Sequence, residues 1–231
     1  MGGRGASAAG KYGGSNNQNA QNVIATSNAT QLKQQAKQQT QSQKKAYDTS
    51  MPANAVRSVL SAEGLIANNP TETAIIFDIN GNKLESVSQN NSSQVNFTAD
   101  QLKKMAGGIA THNHPNDGPF SDDDLKLAYY NDINTIRAVG KTTYYELSKI
   151  SGKSQKPGLW TGMNTADAQY RKNVGDKIFN KLNSDYNSGK ISYSEYIKGV
   201  KDLNNKCWQV QSDWLANNAD SYGYIYKTGK R

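Results

Sequence analysis

Residues 111–125 read Thr-His-Asn-His-Pro-Asn-Asp-Gly-Pro-Phe-Ser-Asp-Asp-Asp-Leu, and they contain both histidines of the 231-residue chain. The apolar run just before them, residues 107–111, predicts a short buried strand. Side chains two residues apart on a strand point to the same face, so we expect His112 and His114 to lie side by side. Pro115 should end the strand, because proline has no N–H to donate to the neighbouring strand.

Histidine is the commonest metal ligand in proteins, so His112 and His114 are candidate metal ligands. A third candidate follows on their C-terminal side. Asp124 lies ten residues after His114 and offers a carboxylate. Two imidazoles and one carboxylate leave a fourth tetrahedral position open, which is typical of a catalytic zinc site. Ser121 and Asp124 also have the spacing of a capping box at the start of a helix over residues 122–131. The two interpretations are compatible, because a cap that fixes the start of the helix also fixes the direction of Asp124.

The pattern His-x-His-Pro, a short loop and Ser-x-x-Asp in residues 112–124 resembles the signature of the JAMM (MPN/JAB) zinc metalloproteases. The form His-Asn-His-Pro is similar to the RadC-like and phage-type branch of that family, and the resemblance covers about residues 52–150. It implies that His112, His114 and Asp124 bind Zn²⁺. It also implies that Ser121 donates a hydrogen bond to the oxyanion while a peptide or isopeptide bond of a protein or peptide substrate is hydrolysed. The loop between His114 and Ser121 is one residue shorter than is usual in RadC-like proteins.

The same resemblance implies a glutamate upstream on an early strand, acting as general acid and base. Glu72 fits best, because it precedes an apolar run and follows a predicted helix and turn. Glu63, within the preceding helix, and Glu85, after the hairpin turn, are the rivals. The alternative interpretation of Glu72 is an ordinary solvated charge at the start of a strand. A general base must lie within hydrogen-bond reach of the water that it deprotonates, and the sequence does not show this distance.

Hydrophobic periodicity predicts an α+β fold in which helices flank a mixed β-sheet, and the resemblance implies the layout that JAMM domains share with cytidine deaminases. Asn80-Gly81 is a strong signal for a β-hairpin. Helices are predicted over residues 52–67, 100–105 and 122–131, and strands over residues 74–79, 83–88, 107–111, 135–139 and 142–148, with a further short strand at Val95 and Phe97.

Composition divides the chain into three parts. Residues 1–50 are rich in Gly, Asn and Gln and hold five of the eight net positive charges, so they predict a disordered basic tail. The resemblance implies a JAMM-like zinc domain over residues 51–150, and helical periodicity predicts an accessory helical hairpin over residues 158–231. The alternating tyrosines of residues 222–226 are typical of an edge strand, or of a tail that becomes ordered on a partner.

Three function classes stay open at this point. The first is a JAMM-type zinc hydrolase, phage- or prophage-encoded. The second is a catalytically silent relative that binds phage structural proteins during assembly of the particle, and the third is a RadC-like protein that contacts nucleic acid through the basic tail. The sequence has no apolar run near 18 residues and no secretory signal, so we expect no membrane contact and a location in the host cytoplasm or the virion.

Overall fold

A mixed β-sheet of six strands organises residues 49–231, which are the residues that the computed structural model describes. The strands are β1 (Thr73–Phe77), β2 (Lys83–Ser88), β3 (Ile109–Asn113), β4 (Thr135–Val139), β5 (Thr143–Lys149) and β6 (Tyr224–Lys230). Their spatial order is β2-β1-β3-β4-β5-β6. Only β3 and β4 are parallel, and all other neighbouring strands are antiparallel. The predicted α+β class with a mixed sheet is therefore confirmed.

Six α-helices accompany the sheet within residues 49–231. They are α1 (Ala53–Ile66), α2 (Ala99–Met105), α3 (Asp122–Tyr130), α4 (Leu159–Tyr170), α5 (Asp176–Asn187) and α6 (Tyr193–Asn218). A π-helical turn, Arg171–Gly175, joins α4 to α5, and a 3₁₀ turn, Ala219–Tyr222, leads into β6. Capping boxes fix the starts of α2, α3 and α6, because in each case the N-cap hydroxyl accepts from the backbone N–H of the third helical residue.

Alternation along the central strands sends side chains into two separate cores. Ile109 on β3 packs under α1, in a core that also contains Ala55, Val59, Ile75, Phe77 and Val139. Ala110, the next residue, faces the opposite side, where the core includes Ile76, Phe120, Leu125, Ile136, Leu159 and Leu215. His112 follows Ala110 by two residues and therefore lies on this second face, beside α3.

Buried charges occupy the face of the sheet that α1 covers. Arg137 on β4 has no exposed side-chain surface, and its Nε and Nη2 donate to the Glu63 carboxylate at 2.6 and 3.1 Å. Its Nη1 donates to Glu146 on β5. Thr111 Oγ1 donates to Glu63 Oε1 at 2.9 Å. The cation between two carboxylates lets all three charges remain buried, since each has a hydrogen-bonded partner of opposite sign.

Replacing Thr111 by valine should destabilise the fold by about 1–2 kcal/mol, because a carboxylate oxygen loses one buried donor but retains Arg137. Urea denaturation measures this as a lower midpoint with an unchanged slope. A variant as stable as the wild type would show that the Thr111 hydroxyl contributes nothing to this buried network.

The predicted N-terminal tail, residues 1–50, lies outside the described residues except for Thr49 and Ser50, and so does any nucleic-acid contact made through it. Thr49 Oγ1 and the Ser50 N–H both donate to the buried Glu146 carboxylate. The described chain therefore begins at the charged network of the sheet, and these two residues belong to the folded part.

The C-terminal part of the chain is joined to the sheet. Residues 158–231 do form helical segments, with α4 and α5 in one arm and α6 in the other, but β6 then pairs with β5 along its whole length. Residues 49–231 accordingly belong to one compact unit, and the predicted division between 51–150 and 158–231 is not a boundary between separate bodies. Of the two interpretations of the alternating tyrosines, the edge strand is the one seen.

The strand predicted at Val95 and Phe97 is wrong. Asn96 instead exchanges two hydrogen bonds with the side chain of Gln89, its N–H donating to Oε1 at 2.9 Å and its carbonyl accepting from Nε2 at 2.7 Å. Because a side chain satisfies these backbone groups, the segment is an extended loop outside the sheet.

Candidate functional site

The two histidines meet at the end of β3. His112 is the fourth residue of the strand, and the His114 N–H donates to the Val139 carbonyl at 2.8 Å, so pairing with β4 continues one residue beyond the strand. Both side chains are buried, with 9 and 10% of their surface exposed. Their Nε2 atoms lie 2.9 Å apart. The sequence prediction that the two imidazoles share a face is confirmed.

The turn after the strand sets the orientation of the second imidazole. His114 Nδ1 lies 2.9 Å from the Gly118 carbonyl, which can only accept, so Nδ1 carries the proton and the Nε2 lone pair is directed at His112. Asp117 holds the turn in place from a left-handed backbone conformation, with φ of 67°. Its carboxylate accepts hydrogen bonds from the N–H and hydroxyl groups of Thr142 and Thr143.

Asp124 reaches the histidines from the first turn of α3. Its Oδ1 lies 3.1 Å from His112 Nε2, and its Oδ2 lies 3.5 Å from His114 Nε2. Oδ2 also accepts from the Ser121 N–H at 2.7 Å and from the Ser121 hydroxyl at 2.8 Å. The predicted capping box is confirmed, and it is compatible with the ligand interpretation because the cap directs the carboxylate towards the imidazoles.

These three side chains could hold a metal ion. One ligand atom from each of His112, His114 and Asp124 can be chosen so that all three lie within 4.8 Å of one another. Two nitrogen donors and one oxygen donor converge, and in the neutral form of His114 the proton on Nδ1 leaves Nε2 as the nitrogen that can bind a metal. The donor set suits a first-row divalent ion with one position open to solvent or substrate.

The charges around the cluster shift one another's pKa values. Burial tends to raise the pKa of Asp124, but the adjacent His112 and His114 hold it well below its usual range. Burial tends to lower the pKa of His114, but hydrogen bonds to Asp124 and Gly118 outweigh it and raise this pKa to about 9. Protonation of His114 and binding of a metal ion would therefore compete for the same imidazole.

Metal affinity should rise with pH for this reason. The pKa of His114, raised from 6.5 to about 9, stabilises the metal-free fold below pH 6.5, and this stability is lost as pH rises through about 9. A metal ion needs the unprotonated imidazole, so its apparent affinity should rise by about tenfold per pH unit below about 9. Competition with a chromophoric chelator, using Zn²⁺ at several pH values, measures the slope. An affinity independent of pH would contradict this account of the site.

Glu72 lies beside the cluster. It is the residue just before β1, only 9% exposed, and it lines the same cavity of about 530 Å³ as His112, His114, Ser121 and Asp124. Burial raises the pKa of its carboxyl group, the two histidines partly oppose this, and Asp124 adds to it. Among the described residues, no hydrogen bond is formed by the side chain of Glu72, so its carboxyl group is available to a molecule in the cavity.

The two rival glutamates are engaged elsewhere. Glu63 lies on the opposite face of the sheet, where both of its carboxylate oxygens accept hydrogen bonds from Arg137. Glu85 on β2 accepts from Gln101 at 2.6 Å and from Lys104 at 2.7 Å. Neither of them lines the cavity that contains the histidines.

Two walls of the cavity are formed by residues that the sequence did not predict to lie there. Trp208 and Gln211 of α6 form one, and the loop that contains Ser93, Val95 and Phe97 contributes to another. Trp208 has the helical spacing of an ordinary packing residue. Its position at the cavity depends on how α6 packs beside the sheet, which no local pattern reveals.

Comparisons with protein-family models, curated proteins and solved structures gave no match. Across residues 49–231, none of the helices combines the length and apolar character needed to cross a bilayer. Inference about function therefore starts from the geometry of the cavity.

Proposed function

We propose that the protein is a zinc-dependent hydrolase of peptide or isopeptide bonds, of the JAMM type that its motif resembles. The observation that carries this proposal is the convergence of His112, His114 and Asp124 on one point of a cavity that Glu72 also lines. A cleft in which the pKa values of Glu72, His114 and Asp124 are all shifted by burial and by neighbouring charges is typical of a catalytic site.

His112, His114 and Asp124 would hold the metal. Zn²⁺ bound by them would polarise a substrate carbonyl and lower the pKa of water to near neutrality. The hydrogen bond from His114 Nδ1 to Gly118 and the capping box of Ser121 keep the donor atoms in place without a substrate. Such preorganised ligands lose little conformational entropy when the metal binds.

Glu72 would move the proton. Its carboxylate can accept a proton from the attacking water in the cavity and return it to the leaving amine. Because burial raises its pKa, it is a stronger base than an exposed glutamate. Both proton transfers need a carboxylate that no other group occupies. Among the described residues, the Glu72 side chain forms no hydrogen bond.

Ser121 has two roles in the proposal. Its hydroxyl donates to Asp124 Oδ2 and thereby positions a ligand. It also lines the cavity, so the same hydroxyl can rotate to donate to a developing oxyanion. The first role is visible in the hydrogen bonds, and the second is proposed.

The proposal is tested by loading the full chain with Zn²⁺ and incubating it with a fluorescence-quenched peptide library and with peptides joined through a lysine Nζ. Cleavage that stops with a chelator and returns with added Zn²⁺ is the expected result. No cleavage of either substrate class by protein that carries one zinc per chain would contradict the proposal.

A further inference from the structure

A second cleft adjoins the metal cavity. Its volume is about 820 Å³, and Asn116 and Trp208 line both it and the metal cavity. We call it the lysine cleft, because Lys141, Lys201 and Lys230 line it. The loop after His114 and the helix α6 thus lie between the two spaces. A single extended molecule can occupy both of them.

The three lysines of the cleft come from distant parts of the chain. Lys141 lies in the turn between β4 and β5, Lys201 lies on α6, and Lys230 ends β6. All three are exposed, and within residues 49–231 none forms an ion pair with a carboxylate. Lys198, one turn earlier on α6, does pair, with Asp202 at 2.7 Å. The fold therefore collects three exposed cations around one cleft, although Lys201 also interacts electrostatically with Asp202.

The one acidic residue that lines the lysine cleft does not offset these charges by contact. The Asp117 carboxylate accepts four hydrogen bonds, two from backbone N–H groups and two from hydroxyls of Thr142 and Thr143. These donors occupy its oxygens and fix the turn after His114. The cleft thus presents a net positive charge, and it suits an anionic ligand.

We propose that the lysine cleft binds an acidic segment of a polypeptide substrate, on one side of the bond that is cleaved in the metal cavity. This inference rests on the proposed function, because it takes the neighbouring cavity as the place of hydrolysis. An extended chain advances about 3.3 Å per residue, so a few residues suffice to pass from one space to the other. A nucleic acid would instead need phosphate contacts spread along a surface, whereas the three lysines surround a single cleft.

Binding of a short acidic peptide to the full chain tests the proposal without turnover. The probe is fluorescent acetyl-hexaglutamate amide, compared with hexaglutamine and with a single-stranded oligonucleotide of six thymidines, by anisotropy at low salt. Each exposed ion pair is weak, so we combine Lys141→Gln, Lys201→Gln and Lys230→Gln, which together should weaken hexaglutamate binding by about tenfold. We expect the wild type to bind hexaglutamate most tightly of the three probes and hexaglutamine far more weakly.

A matched variant separates the cleft from net charge. Lys83→Gln, Lys172→Gln and Lys177→Gln together remove the same charge from exposed lysines outside the cleft, and should change affinity by less than about twofold. Equal losses in both triple variants, no hexaglutamate binding by wild type, or tighter cleft-dependent binding of the oligonucleotide would each overturn the proposal. Hexaglutamate binding through the cleft, in a zinc-loaded protein that cleaves neither substrate class, would contradict the proposed function alone.

Discussion

Replacing His114 by alanine is expected to remove bound zinc from the purified protein, which should otherwise carry one ion per chain. Structural zinc sites with four protein ligands bind with about 10–16 kcal/mol at neutral pH, so one ligand contributes about 2.5–4 kcal/mol. Its loss should lower affinity by roughly a hundredfold to a thousandfold. The chain has only two histidines, and both belong to the cluster, so no third imidazole can replace His114. Elemental analysis after dialysis measures the result.

Two neighbouring aspartates of α3 provide a matched control for this prediction. Asp124→Asn removes a ligand charge while an amide oxygen can still accept from Ser121, and it should also lose the metal. Asp123→Asn makes the same chemical change one residue earlier, on a side chain that is 86% exposed, and should keep the metal. A wild-type protein without zinc after zinc is added back, or equal zinc content in both asparagine variants, would contradict the assignment of the site.

Local patterns were sufficient to predict the centre of the site. Strand periodicity placed His112 and His114 on one face, and the capping pattern predicted the helix start from which Asp124 projects. Both depend on residues close in sequence, so short-range geometry decides them. The prediction that Glu72 serves as general base is consistent with its place in the cavity, but it stays a prediction until activity is measured.

Long-range pairing explains what the sequence did not reveal. The C-terminal residues were assigned to an accessory hairpin because nothing near Tyr224 in sequence indicates that β5 lies beside it. The same pairing brings α6 against the sheet, and Trp208 into the wall of the cavity. At Val95 and Phe97, apolar alternation predicted a strand, but the Gln89 side chain satisfies the backbone of Asn96 and no partner strand is needed. The pairing of β6 and the position of Trp208 depend on residues that are far away in sequence, and the loop at Val95 and Phe97 depends on a side-chain hydrogen bond.

Glu72→Gln is expected to retain zinc and to lower the rate of hydrolysis by about 10²–10⁴-fold, which is the usual contribution of a general acid–base group. The carboxamide has nearly the same shape, and Glu72 is not one of the three residues that converge on the metal position. In this variant zinc should therefore stay bound while turnover falls, whereas His114→Ala should lose both zinc and turnover. Burial raises the pKa of Glu72, so wild-type activity should begin to fall with decreasing pH above the ordinary glutamate pKa of 4.5.

The rival glutamate Glu85 supplies the control for that experiment. Glu85→Gln makes the same change on β2, where the carboxylate pairs with Lys104 at the surface, and should leave the rate within about twofold of wild type. Steady-state rates on the same substrate, with zinc content measured in each sample, decide between the two residues. Full activity in Glu72→Gln would place the base elsewhere. Because Glu63 is held by Arg137 on the opposite face of the sheet, no other glutamate among the described residues is positioned to replace Glu72 in the cavity.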